Sequence, residues 1–487
     1  MDRLKPLLDQ SRQQRQRRGS VGESDMRDDD IGEGDLKDDD IGEGDLRDDD
    51  LGKNDTKKDD PGETDMRTDD LRAMLAAIRA LVPTLRPERP LFAALHDGLV
   101  HHPLGGAAYA FEKDLVGPLL SALAMDEEPP TSVAWSSAAT PTRPVIVHAG
   151  AQPNNSPHAG TLVVFCYAFL LARDLSRRIQ SLGPRRGALP AVVVEISIVD
   201  TAPVAGEAVE VDGLHYQRSY RDVPAALEAH MDDYVEVLRQ MSAWSEIPFR
   251  ITRQADFSDP SMASLVSYAV EHRARLASQL SPKHNALAIR AACPVSGCAL
   301  AEKHSRLNRY PAGHIHFTCP RHGQHSVSLS DPQQVARLEA NAPARNLLRS
   351  MLHLVDRHAH HVRITGSDYA ATYQEALLLR PLAQWSAATG LAVGRTPHIL
   401  YAPLVVDWSG AKLSKGLYVR QGGYDAMEML GTDGLHSFAR LKSKHGPDGL
   451  RRIWTEVETW LAEPHKLFRA SVSVEYLQGL LDGRPWQ

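Results

Sequence analysis

The sequence predicts an α/β fold built on a doubly wound parallel sheet. Two observations carry that expectation. β-branched runs recur at 145–147, 191–199 (AVVVEISIV), 249–251, 361–365 and 399–406. Between them lie apolar segments of helical length, at 158–172 and at about 223–243. Strands that alternate with helices indicate parallel pairing with helices covering the sheet.

The chain has 487 residues, 42% of them apolar, enough for a sizeable core in two or three units. Four cysteines exclude a disulfide scaffold and suggest a reducing, cytoplasmic compartment. No run of 18 apolar residues occurs, so no membrane span is expected. Residues 1–20 are rich in Arg and Gln and lack the apolar run of a secretory signal.

The formal charge of −7 is unevenly spread. Residues 21–70 are five decapeptide copies, from VGESDMRDDD to PGETDMRTDD, that together carry −15. Residues 1–20 carry +4, and residues 71–487 carry +4 and all 22 histidines. Each copy has one or two small apolar side chains, too few to offset the entropy of ordering, so 1–70 is expected to be a disordered acidic tail. Asp-rich loops can bind calcium, but DDDIGEGDL lacks the spacing and closing Glu of an EF-hand.

From 71 to 142 a helical segment and a linker are expected. Met74, Leu75, Ile78, Leu81 and Val82 follow a helical period, with Asp69 or Asp70 as cap, and 126–143 is rich in Pro, Ser and Thr. The catalytic core is expected over 143–420, with an insertion at about 290–330. Three short helices are expected over 421–487.

The first chemical motif follows the 145–147 strand: Gln152-Pro153-Asn154-Asn155-Ser156-Pro157-His158-Ala159-Gly160-Thr161. A strand that feeds a helix through a small-residue loop offers a helix N-terminus to phosphate. Ser156 and Gly160 are candidate nucleotide contacts, Gly160 because it lets a ligand approach the first turn closely. His158 can donate a hydrogen bond to a phosphate as charge develops there. Taken alone, the stretch favours a plain helix-capping histidine. The second motif is Gly410-Ala411-Lys412-Leu413-Ser414-Lys415-Gly416. Its two lysines, Lys412 and Lys415, suit a pyrophosphate leaving group.

A third group has metal-ligand spacing: Cys293-x4-Cys298-x20-Cys319-x2-His322. It fits a closed, structural zinc site, with His325 as an alternative fourth ligand. A fourth feature is the amphipathic stretch 231–239. It sets Asp232, Asp233 and Glu236 on one patch beside a stripe of Met231, Tyr234, Val235 and Leu238. Such a patch can hold a guanidinium or move protons; it is also what an ordinary solvated helix face looks like.

Together the two phosphate motifs resemble the class I aminoacyl-tRNA synthetases. PNNSPHAGT stands where their HIGH signature stands, with Thr161 at its last position. AKLSKG stands where their KMSKS loop stands, with Gly416 for its last Ser. The resemblance narrows to the class I lysyl type, in which a metal-binding insertion precedes a GKDH-type motif and the lysine loop. Here Gly366-Ser367-Asp368-Tyr369 holds that middle place. The resemblance covers about 143–420. It implies a Rossmann-like core, with Gly366 and Asp368 facing ribose or substrate and ATP as a candidate cofactor.

Asp232-Asp233-Tyr234-Val235-Glu236 is similar to the DDxxE motif of the arginine-containing cyclodipeptide synthases of filamentous fungi. That resemblance implies a tRNA-dependent enzyme of secondary metabolism that forms cyclo(Arg-Xaa). Its partners would be Arg-tRNA and a second charged tRNA, and the acidic triad would be catalytic. Residues 417–487 are short for an anticodon-reading domain, which favours this reading at the sequence level. Two others fit the same motifs: a synthetase-like ligase activating lysine or arginine with ATP, and a non-catalytic tRNA-binding protein.

Overall fold

The computed structural model describes residues 93–94, 100–101, 115–123, 125, 143–182, 189–253, 259–370, 372–389, 398–413, 423–463 and 471–484. The acidic repeats, the helix expected near residue 74, the 126–142 linker and Lys415 lie outside them.

Five strands form one parallel sheet: β1 (Val145–Ala151), β2 (Val192–Ile198), β3 (Phe249–Arg253), β4 (His360–Gly366) and β5 (His398–Ala402). Their order is β3-β2-β1-β4-β5, and every pairing is parallel. The chain winds outward from β1 through β2 to β3, then returns to the other side of β1. This is Rossmann order with its reversal between β1 and β4. In such sheets the ligand crevice opens at the C-terminal ends of the strands at the reversal.

Side chains alternate across β1 because a strand has period two. Val145, Val147, Ala149 and Ala151 join the core on one face, with Val194, Ile196 and Val362. That core is organised by helix α1 (Ala159–Ser181). Phe165, Cys166, Phe169 and Leu170 on it are fully buried. A helix apolar nearly all round must be enclosed. α1 has the length and mean hydropathy (1.4) of a membrane span, but 72% of that stretch is buried within the protein. Helix α2 (Met231–Ser245) and the later helix Asp448–Ala462 share this core, where Trp244 meets Trp454 edge-on at 5.4 Å. The other face carries a second core, built on helix α3 (Ala342–Val355) with helix Met262–Glu271 and helix Arg380–Thr389.

Several expectations are corrected. The run 399–406 is interrupted at Pro403, which has no N–H to donate to a ladder. Residues Leu404–Val406 instead pair in parallel with Ser471–Ser473. The helix expected at 223–243 is broken into Pro224–Glu228 and α2. The described part of 421–487 holds four α-helices rather than three. The N-terminal segment also contains a short antiparallel pairing of Ala93–Ala94 with Val100–His101, besides helix Val116–Ala122.

Trp454 is 1% exposed. Trp454→Ala should lower unfolding stability by about 3–5 kcal/mol through lost burial and a residual cavity. A urea midpoint unchanged from the parent would contradict this placement.

Candidate functional site at the sheet reversal

A cleft opens at the C-terminal ends of β1 and β4. Its lining includes Gly150 to Gln152, Asn154 to Ser156, His158, Gly160, Thr161, Gly366, Asp368 and Lys412. The two phosphate motifs therefore meet in space although more than 250 residues separate them in sequence.

His158 is the N-cap of α1. Its Nδ1 accepts a hydrogen bond from the Gly160 N–H at 3.1 Å. That bond occupies the Nδ1 lone pair and leaves the proton on Nε2. Nε2 lies 3.3 Å from the Thr161 hydroxyl, at the cleft surface. Enclosure, and then the Lys412 charge, push the His158 pKa down to about 4. The ring is thus a neutral N–H donor, and the capping role is real. Gly160 lines the cleft, and a Cβ there would meet the His158 ring at 2.9 Å, so the glycine makes room for the cap.

Lys412 is delivered by a loop that Asp407 organises. The Asp407 carboxylate accepts from Ser409 N, Ser409 Oγ and Ala411 N at 2.7–2.9 Å. Lys412 Nζ then pairs with Asp368 Oδ2 at 2.6 Å. Asp368 lines the cleft, and its Oδ1 is buried with no hydrogen-bond partner among the described residues. Gly366 lets the Asp368 side chain fold back, since a Cβ on it would stand 2.4 Å from Oδ1. Ser156 lines the cleft, but its hydroxyl accepts from Ala439 N at 3.2 Å, which ties the loop to helix α4 (Phe438–His445). Ser414, Lys415 and Gly416 lie outside the described residues.

The opposite wall was not foreseen. Arg345 and Arg349 of α3 and Arg363 of β4 line it. Arg363 is held by Ser350 Oγ at 3.2 Å and Asn346 Oδ1 at 3.0 Å. Arg345 donates to the Ala340 carbonyl at 3.3 Å. Burial and the two neighbouring guanidiniums lower the Arg349 pKa to about 9, so it stays charged at neutral pH. Among the described residues Asp368 is the one carboxylate lining the cleft, which makes the cleft electropositive. For Arg345 and Arg349 the sequence signal was a helix with basic residues every fourth position, which reads equally as a solvated face; Arg363, on β4, gave none.

Asp232, Asp233 and Glu236 are not brought into the cleft lining. Asp232 is exposed, Asp233 is half-buried, and Glu236 pairs with Lys442 Nζ at 2.7 and 2.8 Å. Their helix does reach the cleft through Tyr234, whose hydroxyl donates to the Gln152 carbonyl at 2.9 Å. Val237 and Met241 join Tyr234 and Leu238 on the buried stripe, while Met231 and Val235 are half-buried.

Away from the cleft, Cys293, Cys298, Cys319 and His322 place four candidate ligand atoms within 4.8 Å of one another. Cys298 and Cys319 sulfurs are 3.6 Å apart, and His322 Nδ1 is 3.4 Å from Cys293 Sγ and 3.7 Å from Cys319 Sγ. A tetrahedral zinc with Zn–S near 2.3 Å sets its sulfurs about 3.8 Å apart, so the donor set fits that ion. Burial opposes the Cys319 thiolate, but the Arg321 and His322 backbone amides hold its pKa below the ordinary value. The Cys319–Gly323 turn presents His322 and needs the positive φ of Gly323, +74°. His325 instead stacks on Phe317 and reaches the Ala291 carbonyl. The knuckle packs on Tyr216 and on strands 209–211 and 214–217, outside the expected 290–330 insertion.

No protein-family profile matches the sequence, and no curated protein does. Solved structures with some likeness include aminoacyl-tRNA synthetases. One is a provisionally assigned arginyl-tRNA synthetase of Campylobacter jejuni, with 11% identity, 70% of this chain and 84% of that one covered, and a TM-score of 0.26. Another is the arginyl-tRNA synthetase of Thermus thermophilus, with 14% identity, 71% and 63% covered, and a TM-score of 0.27. A third is a glutamate-tRNA synthetase of Elizabethkingia anophelis, with 13% identity, 56% and 52% covered, and a TM-score of 0.25. The chain thus spans less than two thirds of the latter two. Likeness at this level carries no conclusion about activity.

Two outcomes are expected. Cys319→Ser should lower both the melting temperature and the bound zinc of purified protein; unchanged values would remove the zinc assignment. Because the folded pKa of His158 lies near 4, below its ordinary 6.5, burial of the neutral ring contributes fully above about pH 6.5 and is lost as pH falls toward 4. His158→Asn should flatten that part of the melting-temperature profile, and an identical profile would contradict the burial.

Proposed function

We propose that the chain is a class I synthetase-like ligase that uses ATP to activate an amino-acid carboxylate. The carrying observation is the meeting of His158, Lys412 and Asp368 at the reversal of a Rossmann-ordered sheet. A carboxylate oxygen of the amino acid attacks the α-phosphorus of ATP. The bond to the bridging oxygen breaks, giving aminoacyl-adenylate and pyrophosphate.

Each residue has a task in that step. The His158 Nε2–H donates to phosphate oxygen as charge builds. Lys412, and Lys415 from the same loop, neutralise the departing pyrophosphate. Asp368, which lines the cleft, accepts a ribose hydroxyl or the substrate ammonium. The arginine wall suits a polyanion, either the triphosphate or the 3′ end of a tRNA. The sequence resemblance makes the amino acid a basic one, arginine or lysine, and the setting cytoplasmic. In the metal knuckle, zinc would hold the fold of the insertion and take no part in chemistry.

A second reading rests on α2. The helix that carries Asp232, Asp233 and Glu236 also puts Tyr234 into the cleft. In this reading the acidic patch receives arginine from Arg-tRNA and the product is cyclo(Arg-Xaa), with the second aminoacyl group also supplied by tRNA.

Amino-acid-dependent exchange of pyrophosphate into ATP tests the first reading. The parent should exchange, and Lys412→Ala should lose about 100-fold or more, as when a preorganised charge stabiliser is removed. No exchange with any amino acid would sink it. Mass spectrometry of diketopiperazines from charged tRNAs tests the second. Asp233→Asn and Glu236→Gln should abolish product there, and full activity in both would leave the helix a solvated face.

A further inference from the structure

We propose that His148, His353 and His361 form a second metal site, for a divalent transition metal of the zinc class, behind the cleft wall. The three residues come from β1, α3 and β4, and one nitrogen of each lies within 4.8 Å of the others. The site is independent of the proposed activity.

The argument is one of tautomers. His148 Nδ1 lies 3.2 Å from Glu195 Oε1. An ionised carboxylate only accepts, so Nδ1 carries the proton and Nε2 carries a lone pair. His361 Nε2 lies 2.8 Å from Asp356 Oδ2, which by the same reasoning leaves the lone pair on Nδ1. Those two lone-pair nitrogens face each other at 2.9 Å. Two acceptors at that distance repel unless a cation lies between them. A third nitrogen, His353 Nδ1, is buried with no hydrogen-bond partner among the described residues.

Imidazoles whose far nitrogens donate to carboxylates are the usual arrangement around a bound metal, since the carboxylate fixes the tautomer and raises ligand basicity. Here both carboxylates are themselves held. Glu195 pairs with Arg250 at 2.5 Å, and Asp356 accepts from His358 N at 2.7 Å. Nitrogens on a tetrahedral zinc stand about 3.3 Å apart, so the observed pair needs to open by a few tenths of an ångström. His353 and His361 are stacked at 4.2 Å and 6°, so His353 must also rotate to aim its lone pair. Arg349 and Arg363 oppose a cation there, while Glu195 and Asp356 offset them. Three protein ligands leave a coordination position for water or a small ligand group, and His148 itself lines the cleft.

The test is metal stoichiometry on the full-length protein, loaded with zinc and dialysed. Two equivalents per chain are expected. His353→Phe, which keeps an aromatic ring in the stack, should lose one and keep the other, and Cys319→Ser should lose the complementary one. Cobalt titration gives a readout that does not depend on any variant folding. One equivalent should bring the thiolate-to-cobalt band of the cysteine site, and the other should bring visible absorption without it. A single equivalent in the parent, carrying the thiolate band, would overturn the proposal and leave a shared proton between His148 and His361.

Discussion

The enclosure of α1 against the parallel sheet is the constraint on which the cleft depends. The helix is buried along most of its 23 residues, so its N-terminus cannot shift relative to β1. Its cap is a histidine, which fixes a ring rather than a short side chain at that point. The same hydrogen bond that satisfies an orphan amide of the first turn also sets which nitrogen carries the proton. Local helix chemistry thus decides the electrostatic character of the cleft floor.

Charge in the cleft is arranged by pairing on one side and by its absence on the other. Lys412 meets Asp368, and Asp407 shapes the loop that delivers the lysine. Across the cleft, three arginines are anchored by neutral groups or by none. An anchored guanidinium with no carboxylate keeps its donors and its charge for a ligand. The net charge of the chain conceals this, because −15 of it lies in the repeats of residues 21–70.

The parallel sheet was legible because β-branched runs and long apolar helices are local patterns. The order of its strands was not, since order is set by which helix covers which face. The motifs around His158 and Lys412 were legible as types of residue, and only their meeting in space gave them a common site. The four candidate metal ligands were legible from spacing, and the turn closed by Gly323 brings His322 rather than His325 beside the three cysteines. The i, i+4 pair Arg345 and Arg349 was visible only as a basic helix face, and the three-histidine cluster left no trace in spacing, because it draws on elements far apart in the chain. Pro403 is the reverse case: a visible breaker that an otherwise continuous apolar run concealed.

The acidic helix illustrates how far sequence similarity and geometry each reach. α2 is fastened to the cleft loop at one point, by Tyr234 to Gln152, and to α4 at another, by Glu236 to Lys442. α4 in turn holds the cleft loop through Ala439 and Ser156. Loop, acidic helix and C-terminal helix therefore form a closed ring of contacts beside the site. The Lys442–Glu236 pair is solvent-accessible, with side-chain exposures of 54% and 37%, and such pairs contribute only about 0–1 kcal/mol. The ring therefore rests mainly on its other two links, the Tyr234 hydroxyl to the Gln152 carbonyl and the Ala439 amide to the Ser156 hydroxyl, both of which hold the cleft loop.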